Sequence, residues 1–463
     1  MKLLFNTLSQ RKERFLPRQK KRVNLFVCGP TVYDFSHLGH ARTYIIFDAL
    51  AKYLKSLNYN VFYLQNITDI DDKIIKRAKE SGKSVKEIAR TFEKEYLIDM
   101  KNLKIDSVTK YARAADYIKE IKNQIEKLVQ KGLAYQIEDG IYYDITKFKD
   151  YGKLSGRTAL QAEDSVSRID ENKEKKNRGD FCLWKAQRQG EPSWPSPWGQ
   201  GRPGWHIEDT AITESTFGAQ YDIHGGGIDL IFPHHESEIA QEEAISGKKP
   251  MVKYWMHTGF LMVSGQKMSK SLGNFITIKD FLKNYSAQSL RMFVLSTLYR
   301  SPIDYSEKAA QQAKSNTERL KDFILRLKNQ KTKNVKPNET FLIKKFEEKF
   351  YEYLSDDFNT PRAISVIFDL IKKVNSLIDK NKISQTQIKQ VLEFLTKIDE
   401  IFGILPKREK QKIPEKIQEL IKQRENYRRE KSWQAADEIR EKIKKLGYAI
   451  EDTDSGTLIN ILF

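Results

Sequence analysis

VNLFVCGPTVYDFSHLGHARTYIIFDALAKYLKSL, residues Val23 to Leu57, decides how the rest of the chain is read. Val23, Leu25, Phe26 and Val27 form a short apolar run that stops at Cys28-Gly29-Pro30, a combination that ends a strand and turns the chain. From His40 the apolar positions Ile46, Leu50, Tyr53, Leu54 and Leu57 recur at helical spacing, with Tyr44 and Phe47 adding apolar surface. This pattern predicts a helix largely buried against a sheet. A β-rich run, NVFYLQN from Asn60 to Asn66, follows directly. Right-handed crossover makes the two strands parallel and sets the intervening loop at their carboxyl edge, where open α/β sheets bind nucleotides.

That loop ends in His37-Leu38-Gly39-His40 on the first helical turn. Two imidazoles three residues apart can point the same way, Gly39 lets a flat base approach the backbone, and the helix N-terminus favours phosphate. Taken alone, the string also reads as two exposed histidines at a helix start. Further on, Lys267-Met-Ser-Lys-Ser271 lies between Gly265 and Gly273-Asn274. Lys267 and Lys270 in such a loop can neutralise charge developing on a leaving pyrophosphate.

Together HLGH and KMSKS resemble the signatures of class I aminoacyl-tRNA synthetases. Other strings are closer to one family: FVCGPTVYD (26–34), NITDIDDKI (66–74), DFCLWK (180–185), GRPGWHIE (201–208), HGGGIDLIFPHHESEIAQ (224–241) and DDFNTP (356–361) look like cysteinyl-tRNA synthetases across essentially the whole chain. The resemblance implies an α/β fold: a Rossmann-type nucleotide-binding core with a connective insertion, followed by an α-helical bundle and a small α+β C-terminal domain. The expected divisions are 1–120 and 201–262 for the two halves of the core, 121–200 for the insertion, 263–310 for the KMSKS loop and stem-contact region, 311–405 for the bundle and 406–463 for anticodon binding. It also implies a ligase that activates L-cysteine with ATP and passes it to tRNA(Cys), with Mg²⁺ accompanying the nucleotide.

Composition agrees with that expectation without requiring it. The 463 residues suit two to four domains, and 81 Lys and Arg against 62 Asp and Glu give a net charge of +19, which suits a polyanion such as RNA but also an ordinary lysine-rich surface. Two cysteines, Cys28 and Cys182, exclude a disulfide framework beyond one bridge and point to a reducing compartment. No long apolar run or leader-like N-terminus is visible, so a cytoplasmic protein with no membrane association is expected, and a monomer.

Thr68-Asp69-Ile70-Asp71 reads as a capped helix start, and residues 84–131 read as helical throughout. YQIEDGIYYDI is a hairpin signal about Asp139-Gly140, opening the insertion that ends in EPSWPSPWGQGRPGW. Gly225, Gly226 and Gly227 follow a short strand, with Asp229 placed to take ribose hydroxyl protons over bare backbone. Thr360-Pro361 reads as a helix cap. In the last segment Arg424, Arg428 and Arg429 suggest a basic face beside Trp433, suited to unstacked RNA bases. By resemblance Arg428, Trp433, Asp437 and Asp452 are candidates for tRNA contact. His37, His40, Lys267 and Lys270 are candidates for catalysis; Gly39, Gly227, Asp229 and Lys270 for ATP; Thr31, Trp205 and His224 for the amino acid.

A metal question remains. His234 and Glu238 share a helical face, and Cys28 sits at the strand edge, as ligands require. In the family these positions bind one zinc ion together with a second cysteine after WHIE, but here that residue is Asp209. Either zinc persists on Cys28, Asp209, His234 and Glu238, with weaker selectivity because oxygen is harder than sulfur, or the site has lost its metal. We expect zinc to persist, and Cys182 to be a buried apolar residue instead of a ligand. The rivals are a related ligase that attaches cysteine to an amino sugar, which would not need the C-terminal unit, and a tRNA-binding protein without catalysis, which would not need HLGH and KMSKS.

Overall fold

The computed structural model describes residues 1–157, 172–268, 273–330, 342–405, 414–453 and 456–461. The chain forms two compact units, Met1–Pro406 and Lys407–Phe463.

In the first unit a short hairpin, β1 (Leu3–Asn6) and β2 (Arg11–Arg14), precedes a five-stranded sheet built from β3 (Arg22–Val27), β4 (Asn60–Ile67), β5 (Lys110–Arg113), β10 (Tyr221–Gly227) and β11 (Val252–Thr258). Its order is β11-β10-β3-β4-β5 and every pairing is parallel. The strand order reverses between β3 and β10, so the crevice beyond their carboxyl ends is the expected ligand position. Helix α1 (Leu38–Ser56) crosses from β3 to β4 and buries Ile45, Ile46, Phe47, Leu50 and Leu54 against the sheet. At about 1.5–3 kcal/mol per buried large apolar side chain, this face anchors the helix and the HLGH turn at its start.

Between β4 and β5 lie α2 (Asp72–Ser81) and α3 (Val85–Asn102), and α4 (Ile118–Gln130) follows β5. The helical pattern expected from 84 to about 131 holds in its two stripes, on α3 and α4, but not between them. The chain leaves α3 at Leu103, takes a positive φ at Lys104 and contributes the edge strand β5, whose four residues carry too little pattern to stand out between two helical stripes. The cap expected from Thr68 is also displaced. Asp71 caps α2, and Thr68 instead donates to buried Glu208 at 2.6 Å.

The insertion holds a second, antiparallel sheet of β6 (Ala134–Ile137), β7 (Gly140–Tyr143), β8 (Phe181–Ala186) and β9 (Gly201–Pro203), with the hairpin about Asp139-Gly140 as expected. Cys182 is buried in β8 opposite Tyr142. After the sheet, helices Glu307–Asn329, Ile343–Ser355, Thr360–Asp379 and Gln385–Phe402 form the bundle, the third capped by Asn359 and not Thr360. Arg291, on the helix Ala287–Leu295, fastens bundle to core. Its Nη2 meets Asp48 of α1 at 2.8 Å, and it donates to the carbonyls of Leu103 and Phe402.

In the second unit helices Glu415–Arg429 and Trp433–Lys445 enclose Ile417, Ile421, Ile439, Ile443 and Ile450 with the hairpin Tyr448–Thr453 and Gly456–Ile461. Among the described residues no helix is long and apolar enough to cross a membrane.

Candidate nucleotide and metal site

His37 caps α1. Its Nδ1 accepts the Gly39 N–H at 3.1 Å, while His40 Nδ1 accepts the His37 N–H at 3.3 Å, and the two rings stack 3.8 Å apart. Because each Nδ1 is an acceptor, the proton of each neutral ring belongs on Nε2, which is thereby a donor. Burial first, then His37 and Lys73, holds His40 well below its ordinary pKa, so it donates as a neutral group. Gly39 makes room for the His37 ring, since an added Cβ would lie 2.9 Å from it.

The HLGH turn meets the segment that follows KMSKS through main chain. Leu38 N–H donates to the Ile276 carbonyl at 3.1 Å, Ile278 N–H donates to the Ser36 carbonyl at 2.9 Å, and His37 and Thr277 form an antiparallel bridge. The backbone at Lys267 closes a short hairpin with Met262, and Lys270 lies outside the described residues.

The triple glycine divides into three roles. A Cβ on Gly225 would overlap the Phe47 ring, so this glycine serves helix packing, and one on Gly226 would meet His235 at 2.9 Å. Only Gly227 stands at the open edge, beside the Asp229 carboxylate 2.5 Å from its missing Cβ, and Asp229 itself is exposed. Of the bare backbone platform expected here, Gly225 and Gly226 are covered by side chains, and Gly227 is the one left partly exposed.

Behind this edge the sheet carries a buried polar cluster. Cys28 Sγ lies 3.4 Å from Asp209 Oδ2, His234 Nε2 lies 3.0 Å from the same oxygen and 3.3 Å from Glu238 Oε1, and all four ligand atoms fall within 4.8 Å of one another. Cys28, His224, His235 and Glu238 form a second such group sharing two members. Asp209 Oδ1 and both Glu238 oxygens have no hydrogen-bond partner among the described residues, although both side chains are at most 1% exposed. Burial, followed by Asp209 and Glu208, pushes the Glu238 carboxyl well up; burial, Asp209 and Glu238 push the Cys28 thiol up. Three acids packed together resist ionising together, and a divalent ion would supply the charge that offsets them. The donor set of one sulfur, one imidazole and two carboxylates fits zinc.

Sequence reading overlooked how histidine is used. The chain has seven histidines, and all of them lie at this edge. His235 Nε2 is 3.1 Å from Cys28 Sγ, its Nδ1 is 2.8 Å from His257, and His257 reaches Thr7 at 2.8 Å. His224 is wholly buried behind Cys28, stacked on Trp255 and bonded to the Tyr221 hydroxyl at 2.7 Å. His206 Nδ1 meets His234 at 2.7 Å, and half-exposed Trp205 stacks on His234 at 4.1 Å. The signal was available in the scarcity of histidine and its confinement to four strings. Thr31 bridges to Thr68 at the mouth of the same crevice.

A family model for the class I (C) tRNA synthetase catalytic domain matches residues 14–315, a DALR domain matches 349–406, and a cysteinyl-tRNA ligase anticodon-binding domain matches 410–457. Cysteine–tRNA ligases of Thermococcus gammatolerans and Pyrococcus horikoshii are each 46% identical to the chain, over 98% of it and 98% of their own length. The chain belongs to the cysteine–tRNA ligase family. Its fold is shared more widely: a methionyl-tRNA synthetase of Mycobacterium tuberculosis in complex with methionyl-adenylate superposes with a TM-score of 0.62 over 82% of this chain and 92% of that one, at 15% identity.

In the second unit the expected basic face is smaller than the arginine count suggested. Arg424 is 2% exposed, with its guanidinium forked onto Asp452 at 2.6 and 2.8 Å. Arg428 closes on the same carboxylate, which these two arginines hold down at about 2. Trp433 stands out at 59% exposed, and Asp437 lies on the same helix.

Proposed function

We propose that the chain, as a cytoplasmic monomer, activates L-cysteine with Mg²⁺–ATP and transfers it to the terminal adenosine of tRNA(Cys). The observation that carries this reading is the buried, partner-poor cluster of Cys28, Asp209, His234 and Glu238 beside a nucleotide edge. In the first step a cysteine carboxylate oxygen attacks the α-phosphorus and pyrophosphate leaves. In the second a ribose hydroxyl of the tRNA displaces AMP. Neither step asks the protein for covalent chemistry, so positioning and charge carry the rate.

His37 and His40 present Nε2–H donors to phosphate oxygens, and Lys267 and Lys270 add positive charge as pyrophosphate departs. Gly39 and Gly227 leave space for the nucleotide, and Asp229 accepts from the ribose. Thr31, Trp205 and His224 border the amino acid. Zinc held by Cys28, Asp209, His234 and Glu238 would supply an acceptor for substrate sulfur, which binds as thiolate far better than the neutral hydroxyl of serine. Pocket shape alone, worth about 1–3 kcal/mol for so small a difference, would not separate the two amino acids. Arg428, Trp433, Asp437 and Asp452 are the proposed tRNA contacts, with Trp433 the stacking surface and the Arg428–Asp452 pair opening or holding shape as RNA binds.

The test is metal analysis of the purified protein together with exchange of pyrophosphate into ATP. One zinc per chain and exchange that requires cysteine, with serine at least about 100-fold poorer, is expected. Exchange independent of cysteine would refute the reading.

A further inference from the structure

The first turn of α2 departs from the usual electrostatics of a helix start. N–H groups there carry positive partial charge, which favours acidic side chains and disfavours lysine. Asp71 caps the helix and Asp72 follows, but Lys73 comes next. Neither aspartate forms a salt bridge with it, although Asp71 feels its charge at longer range. Asp72 meets Lys185 at 2.7 Å and Arg202 at 2.5 Å, and Asp71 accepts the Lys73 amide, not its ammonium, at 2.8 Å. Among the described residues no carboxylate lies within salt-bridge distance of Lys73 Nζ, which instead lies over the Tyr33 ring, 5.6 Å from its centroid.

Tyr33 belongs to the loop between β3 and α1 that carries Cys28, Thr31 and His37, and α2 begins beyond the carboxyl end of β4, next to β3. The Lys73 side chain is exposed. Two helix N-termini, α1 and α2, therefore lie at the same edge of the sheet, and the Lys73 ammonium, seated over Tyr33 without a salt bridge among the described residues, is close enough to act on His40 of the HLGH turn. The arrangement is unfavourable for an empty surface and favourable for a polyanion.

We propose that Lys73 contacts ATP during adenylation, its ammonium meeting a non-bridging oxygen of the triphosphate on the β4 side of the HLGH turn. This rests on reading the chain as an ATP-dependent ligase. In that step the amino-acid carboxylate oxygen bonds to the α-phosphorus while the bond from that phosphorus to the bridging oxygen breaks, its electron pair leaving with pyrophosphate. No proton is transferred, so a side chain assists by supplying positive charge. Lys73 does so from a helix, with its stem already placed.

The experiment compares Lys73→Gln and Lys73→Arg in the full-length, metal-loaded protein. Lys73→Gln should slow single-turnover adenylation about 10- to 100-fold, leave the cysteine KM within about twofold and leave transfer from preformed adenylate unchanged. It should not lower the thermal midpoint, since a cation leaves a positive helix end. Lys73→Arg should keep the adenylation rate within about fivefold. An unchanged adenylation rate in Lys73→Gln, or a loss confined to the tRNA KM, overturns the proposal. So does a loss that tracks cysteine affinity and thermal midpoint without rescue by arginine. If the unaltered protein shows no cysteine-dependent exchange, the ligase reading has failed, and ATP binding alone then decides: about tenfold weaker Kd in Lys73→Gln supports the contact, and equal Kd overturns it.

Discussion

Two buried charge clusters lie in the first unit, and they are built on opposite terms. At Asp48 every need is met: Arg291 and Lys52 reach Oδ2 at 2.8 and 2.9 Å, and the Ser107 and Asp106 amides reach Oδ1 at 3.2 and 3.3 Å. Burial pushes this carboxyl up, yet Arg291 and Lys52 outweigh burial and hold it below its ordinary value. At Cys28, Asp209 and Glu238 burial is equally complete, no Lys or Arg among the described residues forms a salt bridge to them, and carboxylate oxygens are left without hydrogen-bond partners. Buried acids in the same protein thus differ in how their charge is met: the satisfied one fastens elements together, and those of the Cys28 cluster would be satisfied by the proposed metal.

The sharpest way to break this contrast is to delete one acid from each cluster in metal-free protein. Asp48→Ala strands a fully buried guanidinium and should cost about 3–5 kcal/mol in urea unfolding. Asp209→Ala relieves crowding and should cost less than about 1 kcal/mol. Equal losses would abolish the distinction. Glu238→Gln should next lower bound zinc from one per chain to under about one tenth and reduce cysteine-over-serine preference by roughly 100-fold, read by metal analysis and pyrophosphate exchange.

Asp99 extends the comparison to pH. It is wholly buried, neither oxygen has a hydrogen-bond partner among the described residues, and burial, only partly offset by Lys279, raises its pKa to about 6. The folded carboxyl keeps its proton until about pH 6, whereas the unfolded one loses it near 3.9. Stability contributed by the protonated form is present below the unfolded value and is lost as pH rises to about 6. Asp99→Asn should therefore be more stable than wild type by about 1–2 kcal/mol at pH 8 and equal to it at pH 3.5. A constant difference across pH would remove Asp99 from the unsatisfied class. The smallest effect belongs to Asp209→Cys, which should slow zinc loss to a chelator by about tenfold, measured with a zinc-sensitive dye. Equal rates would show that oxygen at this position costs nothing.

What was legible in sequence was whatever repeats or punctuates. The β3-loop-α1 unit announced itself through a 3.6-residue stripe and Gly29-Pro30, and Cys28, Asp209, His234 and Glu238 converge as their spacing and family resemblance implied. What escaped depends on partners distant in the chain. Nothing local in Lys110–Arg113 distinguishes a strand, because its partner is β4, some forty residues earlier. Thr68 looked like a cap until Glu208, 140 residues away, claimed its hydroxyl. Arg424 read as surface because the sequence does not reveal that Asp452 folds back onto it. The second group of Cys28, His224, His235 and Glu238 was hidden for the same reason: Cys28 follows β3, whereas His224 on β10 and His235 and Glu238 at the start of helix Glu236–Ser246 come some two hundred positions later.

The main-chain bonds joining Ser36-Leu38 to Ile276-Ile278 carry no dependence on side-chain identity. The pairing itself is indifferent to the side chains at Ser36, Thr277 and Ile278, although Ile278 is buried and Thr277 caps the next helix, because the paired groups are amides that every residue but proline possesses. Insertion or deletion of a single residue on either side is another matter, since the alternation of extended backbone would turn the pairing inside out. The two signatures, some 230 positions apart in the chain, are thus gauged against each other by length, so that mutational tolerance here should be permissive toward chemistry and strict toward count.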